Sequence, residues 1–454
     1  MSHTIAAIST GNQVSAIGII RLTGDDCIAI AEKVISLNCK KALSEAANRK
    51  LLLADLHDKE GRTIDAICVV VARGPHSYTG EDTVEFHCHG SPAVLSAGLE
   101  ALYIAGAKPA KRGEFTKRAF LNGKLDLTQA EAVIDLIHAE STEAAANAAG
   151  QLGGVMLRKI APIYDKLTDI MAHFHAVLDY PDEDIDPFEL TSFQNDLWNA
   201  QNKLEQLLST YSRGRVLRHG LRAVILGKPN AGKSSFLNAL AGFDRVIVTD
   251  IAGTTRDSVE ETVKVGRHLI RLVDTAGIRD TDDQIERMGV ERAEAAAAKA
   301  DIAIYVCDGS TELTEEDYRA QDAAMEAPCS IAILNKQDLE QETLPSDLPF
   351  DWVIPFCAKT GDGIEQLEDA LDCLFDDESI PCDGSILTNT RQAEAVARAA
   401  RAIRNAIASM KSSITPDAVL VDVEAAMEAL GEVTGQTMRE EITNRIFERF
   451  CVGK

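Results

Sequence analysis

One octapeptide narrows the fold more than anything else in the chain. Gly227-Lys-Pro-Asn-Ala-Gly-Lys-Ser234 follows the β-rich run Leu221 to Leu226 and opens a helical stretch. This is the spacing of a P-loop, whose glycines let backbone N–H groups converge on phosphate oxygens at a helix N-terminus, where the dipole also favours negative charge. A P-loop needs a parallel sheet to launch it. The apolar runs 302–306, 330–334 and 352–356 alternate with helical stretches and supply that sheet. The runs 259–265 and 268–273, joined at Gly266, read as one antiparallel pair within it.

Further elements follow in the order a nucleotide site requires. Lys233 is expected to reach the β/γ-phosphates and Ser234 to ligate Mg²⁺, with Asn230, Ala231, Gly232 and Ser235 belonging to the same loop. Asp274, Thr275, Ala276 and Gly277 end a strand, so Asp274 serves the magnesium shell and the Gly277 amide faces the γ-phosphate. Thr249, Asp250, Ile251, Ala252, Gly253, Thr254 and Thr255 form a loop in which Thr255 offers a second Mg²⁺ ligand, released when the γ-phosphate departs. That loop is therefore expected to be a switch. Asn335, Lys336, Gln337 and Asp338 end a strand where open α/β sheets bind ligands. The Asp338 carboxylate can accept from guanine N1–H and N2–H₂, donors that adenine lacks, so GTP is expected over ATP. Cys357, Ala358 and Lys359 occupy the place of the usual Ser-Ala-Lys guanine loop. The residue after Gly277 is Ile278, where Ras-type GTPases carry a water-orienting glutamine, so hydrolysis must find its assistance elsewhere.

The chain is 454 residues long, which suggests about three domains. Hydrophobic residues at 45% and charged residues at 26% exclude collagen, coiled-coil rods and wholesale disorder. No apolar run approaches the ~18 residues of a membrane span, and no targeting signal is readable at the start, so a cytoplasmic address without membrane attachment is expected. Ten cysteines are scattered singly with no Cys-x-x-Cys pair. A net charge of −25 makes the chain a poor general glue for polyanions, although residues 1–122 carry +1. Within them Lys108, Lys111, Arg112, Lys117 and Arg118 form the best basic patch, readable equally as a solvated loop and helix start or as an RNA contact. In 83–89, alternation puts Val84, Phe86 and Cys88 on one face and Glu85, His87 and His89 on the other; a strand's polar face explains the histidines better than a metal does.

On either side of the α/β unit the texture is helical. Thr128 and Glu131 have capping-box spacing before a stripe of Ala130, Val133, Ile134 and Ile137; Thr437 and Glu440 repeat the spacing before Ile442, Ile446, Phe447 and Phe450. Two apolar stripes separated by a self-contained unit must each find a partner, and the economical solution is that they pack together. The expected fold is multidomain α/β and α. It comprises an α+β N-terminal domain (1–122), a discontinuous helical domain (123–219 and 384–454) and an inserted Ras-like P-loop GTPase domain (220–383).

These motifs, with the run 253–257, Ile278 and a terminal Cys451-Val-Gly-Lys454, resemble the MnmE (TrmE) family of tRNA-modification GTPases. The resemblance also covers Ile19 to Gly24, Ser77 to Asp82, Gly113 to Thr116 and Phe120 to Leu127, and so runs over essentially the whole chain. It implies a homodimer joined through folate-binding-like N-terminal domains and a heterotetramer with the FAD-binding flavoprotein MnmG. Together they would install a carboxymethylaminomethyl-type group on C5 of the wobble uridine of certain tRNAs. It further implies that Arg21, Glu81, Lys124 and Lys454 contact 5-formyl- or methylene-tetrahydrofolate. A K⁺ ion would be held by Asn230, Thr249, Ile251 and Thr254, and Glu286 would orient the attacking water as the catalytic residue. For Cys451, a chemical role and packing at a helix end both stay open. The competing readings are a ribosome-assembly or signalling GTPase that acts by binding only, and a one-carbon transferase with a regulatory GTPase. The flanking domains argue against the first, and the second would predict folate turnover without MnmG.

Overall fold

The computed structural model describes residues 3–11, 13–39, 41–179, 187–243, 261–272, 295–375, 381–411, 416–437 and 440–453. Among them, the first unit is a sheet of strands β1 (Ile5–Ile8), β2 (Ser15–Thr23), β3 (Ile35–Leu37), β4 (Leu51–His57), β5 (Thr63–Ala72), β6 (Thr83–Gly90) and β7 (Lys108–Pro109), in the order β3-β4-β5-β6-β2-β1-β7. Every pairing is antiparallel except β1 with β7. Period-two alternation sends Ile20, Leu22, Ile67, Val69, Val84 and Phe86 to one face, where helices α1 (Cys27–Glu32) and α2 (Pro92–Ala105) cover them. The β6 histidines lie on the other face: His89 Nδ1 is 2.7 Å from Asp65 and His87 Nε2 is 3.5 Å from Glu85.

Helices α3 (Glu114–Leu121), α4 (Leu127–Ile137), α5 (Thr142–Leu152), α6 (Val155–Asp179), α7 (Pro187–Ser209) and α8 (Tyr211–His219) follow. The capping box that starts α4 is Asp126 with Gln129, two residues before the expected Thr128. Thr128 sits inside the helix and Glu131, expected as its capping partner, has another task. Its buried carboxylate accepts two bonds from Arg391, at 2.9 and 2.7 Å, and one from Gln392 at 2.7 Å. Thr437 likewise donates to the Glu428 carbonyl at 3.0 Å.

The inserted unit is a sheet of β8 (Leu221–Leu226), β9 (Glu261–Val265), β10 (His268–Leu272), β11 (Ile302–Asp308), β12 (Ser330–Asn335) and β13 (Val353–Pro355), with helices α9 (Lys233–Phe243), α10 (Glu315–Met325) and α11 (Ile364–Phe375). Its order is β13-β12-β11-β8-β10-β9, parallel except for the edge hairpin β9–β10. The buried run Ile302–Asp308 lies at the centre, covered on both faces as a parallel strand requires.

After this unit, α12 (Thr390–Lys411), α13 (Pro416–Thr434) and α14 (Glu440–Phe447) return to the helical layer. One core joins Met156, Leu167, Leu197 and Leu204 from before the insertion to Val396, Ile403, Val423 and Leu430 from after it. A smaller cluster joins Ala130 and Val133 to Phe447 and Phe450, so the two stripes meet as expected. Entry and exit of the inserted unit cross tightly. The Leu387 N–H donates to the Thr210 hydroxyl at 3.0 Å, and a Cβ on Gly214 would fall 1.9 Å from the Leu387 carbonyl oxygen. Asn147 and Gln151 clasp the same returning segment at Gly384 and Ile386.

Within the helical layer, beside the point where the inserted unit begins, Arg218 on α8 lies 2.7 Å from Asp135 on α4; across to the inserted unit, Arg271 on β10 lies 3.7 Å from Glu140. Burial pushes Asp135 up to about 6, opposed by the Arg218 charge. Because the folded value exceeds the unfolded one, the folded state binds more protons between about pH 4 and 6, and stability from this group falls as pH rises through that window. Arg218→Ala removes the opposing charge and raises the carboxyl further. The variant is therefore expected to lose more thermal stability at about pH 8 than at about pH 5. Equal losses in melting scans at the two pH values would contradict this pairing.

Candidate functional site

The nucleotide candidates converge at the C-terminal ends of β8 and β12. The P-loop leaves β8 at Gly227 (φ +144°), where any Cβ would come within 2.2 Å of the Val306 carbonyl oxygen. Asn230 takes a left-handed φ of +61°, which Asn tolerates better than most residues, and Gly232 has φ +99°. A Cβ on Gly232 would lie 2.1 Å from Asn335 Nδ2. That close approach has a purpose, because buried Asn335 donates from Nδ2 to the Ala231 carbonyl at 3.1 Å. The base-side loop is thus tied directly to the phosphate-side loop.

Lys233 begins α9, and its Nζ donates to the Gly227 and Lys228 carbonyls at 2.7 and 2.8 Å. Burial lowers its pKa. Ser234 and Ser235 follow in the first turn, both exposed. Lys228 points the other way, into the unit: its Nζ is 2.9 Å from the fully buried Asp317, which also accepts from Tyr305 at 3.2 Å and from the Thr314 hydroxyl at 2.7 Å. Burial pushes Asp317 up, but the bonds from Lys228 and Thr314 outweigh it and hold the carboxyl below its ordinary value.

At the end of β12, Lys336 has a left-handed φ of +63° and reaches Asp308 at 2.6 Å. The Gln337 N–H donates to the Phe356 carbonyl at 3.3 Å, which brings the 357–359 loop alongside. Asp338 is paired with Lys359, and that bond holds its carboxyl below the usual range. Cys357 is buried, with its N–H bonded to the Asp362 carbonyl at 2.9 Å; the bond to Thr360 lowers its thiol pKa. Packed inward, this thiol supports the loop while half-buried Ala358 and exposed Lys359 face outward. These residues together offer amides, an ammonium and a hydroxyl on the phosphate side and a carboxylate on the base side. That is the donor and acceptor set a guanine nucleotide needs.

A second constellation lies in the N-terminal unit. Arg21 on β2 bonds Glu85 at 2.7 Å and lies over the rings of Tyr78 and Phe115 at 5.5 and 5.7 Å. Two residues on, the Thr23 hydroxyl lies 3.4 Å from the Glu81 carboxylate, which accepts from Arg118 at 2.9 Å. Lys124 runs alongside Gly80, its Cγ 3.2 Å from where a Cβ would be. The C-terminal segment reaches the same unit: Gly453 accepts a 3.0 Å bond from Ser9, and Arg112 forms a β-bridge with Val452.

The MnmE helical domain profile matches residues 127–451, and that of the GTP-binding protein TrmE N-terminus matches residues 4–124. The tRNA modification GTPase MnmE of Clostridioides difficile is 38% identical over 459 residues, covering 100% of each chain. Its counterpart in Thermoanaerobacter pseudethanolicus is 40% identical over 457 residues, 99% of each chain. This chain belongs to the MnmE family of tRNA modification GTPases. In Symbiobacterium thermophilum the relative is 40% identical over 456 residues, 100% of this chain and 99% of its own.

Several residues expected to serve an MnmE site lie outside the described residues: Thr249, Asp250, Ile251, Ala252, Gly253, Thr254, Thr255, Asp274, Thr275, Ala276, Gly277, Glu286 and Lys454. Of the others, Arg21, Glu81 and Lys124 are gathered around the loop 77–82, and Asn230 to Ser235, Asn335 to Asp338 and Cys357 to Lys359 around the P-loop. Arg118 corrects its sequence reading. It is buried, bonded to Glu81, Glu114 and the His3 carbonyl, and does not belong to an exposed basic patch. Glu85, Asp317 and Lys228 were missed. Alternation grouped Glu85 with the outward face of β6 and Lys228 stood inside the octapeptide, but nothing signalled Asp317 or the partner of either.

Proposed function

We propose that the chain hydrolyses GTP to drive C5 modification of the wobble uridine in certain tRNAs, working with a flavoprotein of the MnmG type that carries the FAD. The observation that carries this reading is the Asn335–Ala231 bond, which fixes the guanine-selecting and phosphate-binding loops as one unit within a chain that also has both flanking family domains. Ser234, a hydroxyl in the first turn of α9, suits a hard cation, so Ser234 and Thr255 would hold Mg²⁺. Magnesium, when bound, supplies charge to the β- and γ-phosphate oxygens.

Ile278 cannot orient water, and Asn230 sits exposed in a left-handed conformation within the phosphate-binding loop. An alkali cation held by Asn230 with Thr249, Ile251 and Thr254 would supply the missing positive charge, and Glu286 would orient the water. GTP turnover is accordingly expected to be at least about tenfold faster in K⁺ than in Na⁺ at equal ionic strength. Equal initial rates in the two salts would remove the cation from the account.

In the N-terminal unit, Arg21, Glu81, Lys124 and Lys454 would hold a 5-formyl- or methylene-tetrahydrofolate, with the Arg21 guanidinium placed for a carboxylate or a ring edge. A homodimer through this unit is supported by the open part of its second sheet face, which Tyr78 and Phe115 cover only around Arg21. Register lines Leu53–Cys68–His87–Ile19 and Leu51–Val70–Glu85–Arg21 cross that face, with Leu53 63% and Ile17 60% exposed. Among the described residues no helix is long and apolar enough to cross a membrane, and the proposed address is the cytoplasm with its tRNA. The experiment is nucleoside mass spectrometry of tRNA from cells with and without the protein. Loss of the C5-substituted uridine without it supports the reading, and an unchanged nucleoside profile refutes it.

A further inference from the structure

Residues 108–118 and 443–453 carry seven Lys or Arg against two acids, in a chain whose net charge is −25. The fold brings these distant segments side by side. Arg112 forms an antiparallel bridge with Val452, the Gly113 N–H donates to the Cys451 carbonyl at 3.2 Å, and Lys117 Nζ donates to Asn444 Oδ1 at 2.6 Å. Gly113 is required there, since a Cβ would fall 2.6 Å from the Phe447 carbonyl oxygen. Of the basic side chains, Arg118 is consumed internally, while Lys108, Lys111, Arg112, Arg445 and Arg449 are exposed. Glu114, one of the two acids, turns inward to Arg118 and the Lys111 N–H. The other, Glu448, is exposed, so the surface keeps a strong positive excess.

We infer that this seam between α3 and α14 is the surface that receives the tRNA backbone. The inference rests on the proposed function and adds to it where the RNA lies. An exposed cation stabilises a folded chain little, but it recovers free energy when a phosphate arrives and counterions leave. In a molecule this acidic, a polyanion is repelled from most of the surface and is focused onto such a local excess. The seam also places the exposed Cys451 and Val452 at its centre, so a strand lying along it passes directly over the C-terminal segment. Phosphate contacts of this kind fix position and not sequence, so every tRNA binds and the choice of uridine is made elsewhere.

The test is binding of unmodified tRNA to the full chain across a salt series, comparing the natural protein with a variant carrying Lys111→Gln, Arg112→Gln, Arg445→Gln and Arg449→Gln. The substituted side chains are exposed, and GTP turnover without tRNA reports that the variant is folded. The expected result is a loss of affinity of at least about tenfold at about 50 mM salt, with the log–log salt slope smaller by about 3. A control, Arg398→Gln with Arg404→Gln, alters two exposed arginines of α12 and is expected to bind as the natural chain does. Single Arg449→Gln is expected to lower the slope by about 1. Unchanged affinity and slope in the fourfold variant overturn the inference, as does loss of a protein partner with tRNA binding intact. In cells, a fourfold variant that binds tRNA normally and restores the C5-substituted uridine refutes the seam alone. A nucleoside profile indifferent to the whole protein refutes the functional reading instead.

Discussion

Asp338→Asn is expected to weaken GTP binding by about two to three orders of magnitude while leaving the fold intact. The carboxylate is placed at the end of β12, paired with Lys359, and held ionised by that pair. Guanine presents two donors, N1–H and N2–H₂, and a carboxylate accepts both; an amide accepts one and turns its own N–H₂ against the other. Two charge-assisted bonds are replaced by one neutral bond and one clash of donors, and the fold-change follows from the ordinary strength of such bonds. Because Asp338 is exposed, its substitution carries little cost in stability. Titration of the variant with GTP and with xanthosine triphosphate checks this, since xanthine offers an acceptor where guanine has its amino group. Retained GTP affinity would mean that Asp338 does not read the base.

Asp317→Ala acts on the other end of the same site. Lys228, the second residue of the P-loop, is fixed by a carboxylate that is fully buried and also bonded to Tyr305 and Thr314. Removing that carboxylate leaves the ammonium of Lys228, whose side chain is 14% exposed in the natural chain, without its charge partner, a cost of about 3 to 5 kcal/mol. For a unit of this size the melting temperature should fall by about 10 °C. Phosphate affinity should fall as well, by about tenfold, because the loop's backbone is no longer held in shape before the ligand arrives. Asp317→Asn, which keeps a bond to Thr314, should lie between. A variant that melts and binds GDP as the natural chain does would show that the P-loop is not anchored this way.

The contrast between these two residues shows what a sequence discloses. The position of Asp338 was legible because it follows Asn335 at the end of a strand whose apolar run is plain, and a carboxylate there is what guanine recognition would call for. The P-loop was legible because its glycine spacing is, and the structure gives the reason: the Val306 carbonyl and the Asn335 amide leave no room for a Cβ at Gly227 and Gly232. Asp317 was not, because its partner lies 89 residues earlier and nothing local to an acidic helix start separates a buried acid from a solvated one. Glu131 misled for a related reason. Its spacing from Thr128 satisfied a capping rule, whereas its carboxylate is spent on Arg391, 260 residues away. Strands β1, β3 and β7 have only four, three and two residues, too few for alternation to show. The meeting of the two helical stripes, by contrast, followed from the need of each to bury an apolar face.

The central claim is that GTP bound at this site drives tRNA modification, and one measurement tests it most directly. Nucleoside mass spectrometry is applied to tRNA from cells whose only copy of the protein is either natural or Asp338→Asn, each present at the same level. The account predicts the C5-substituted uridine with the natural chain and its loss, with accumulation of the precursor uridine, with the variant. Full modification in cells carrying only Asp338→Asn would contradict it.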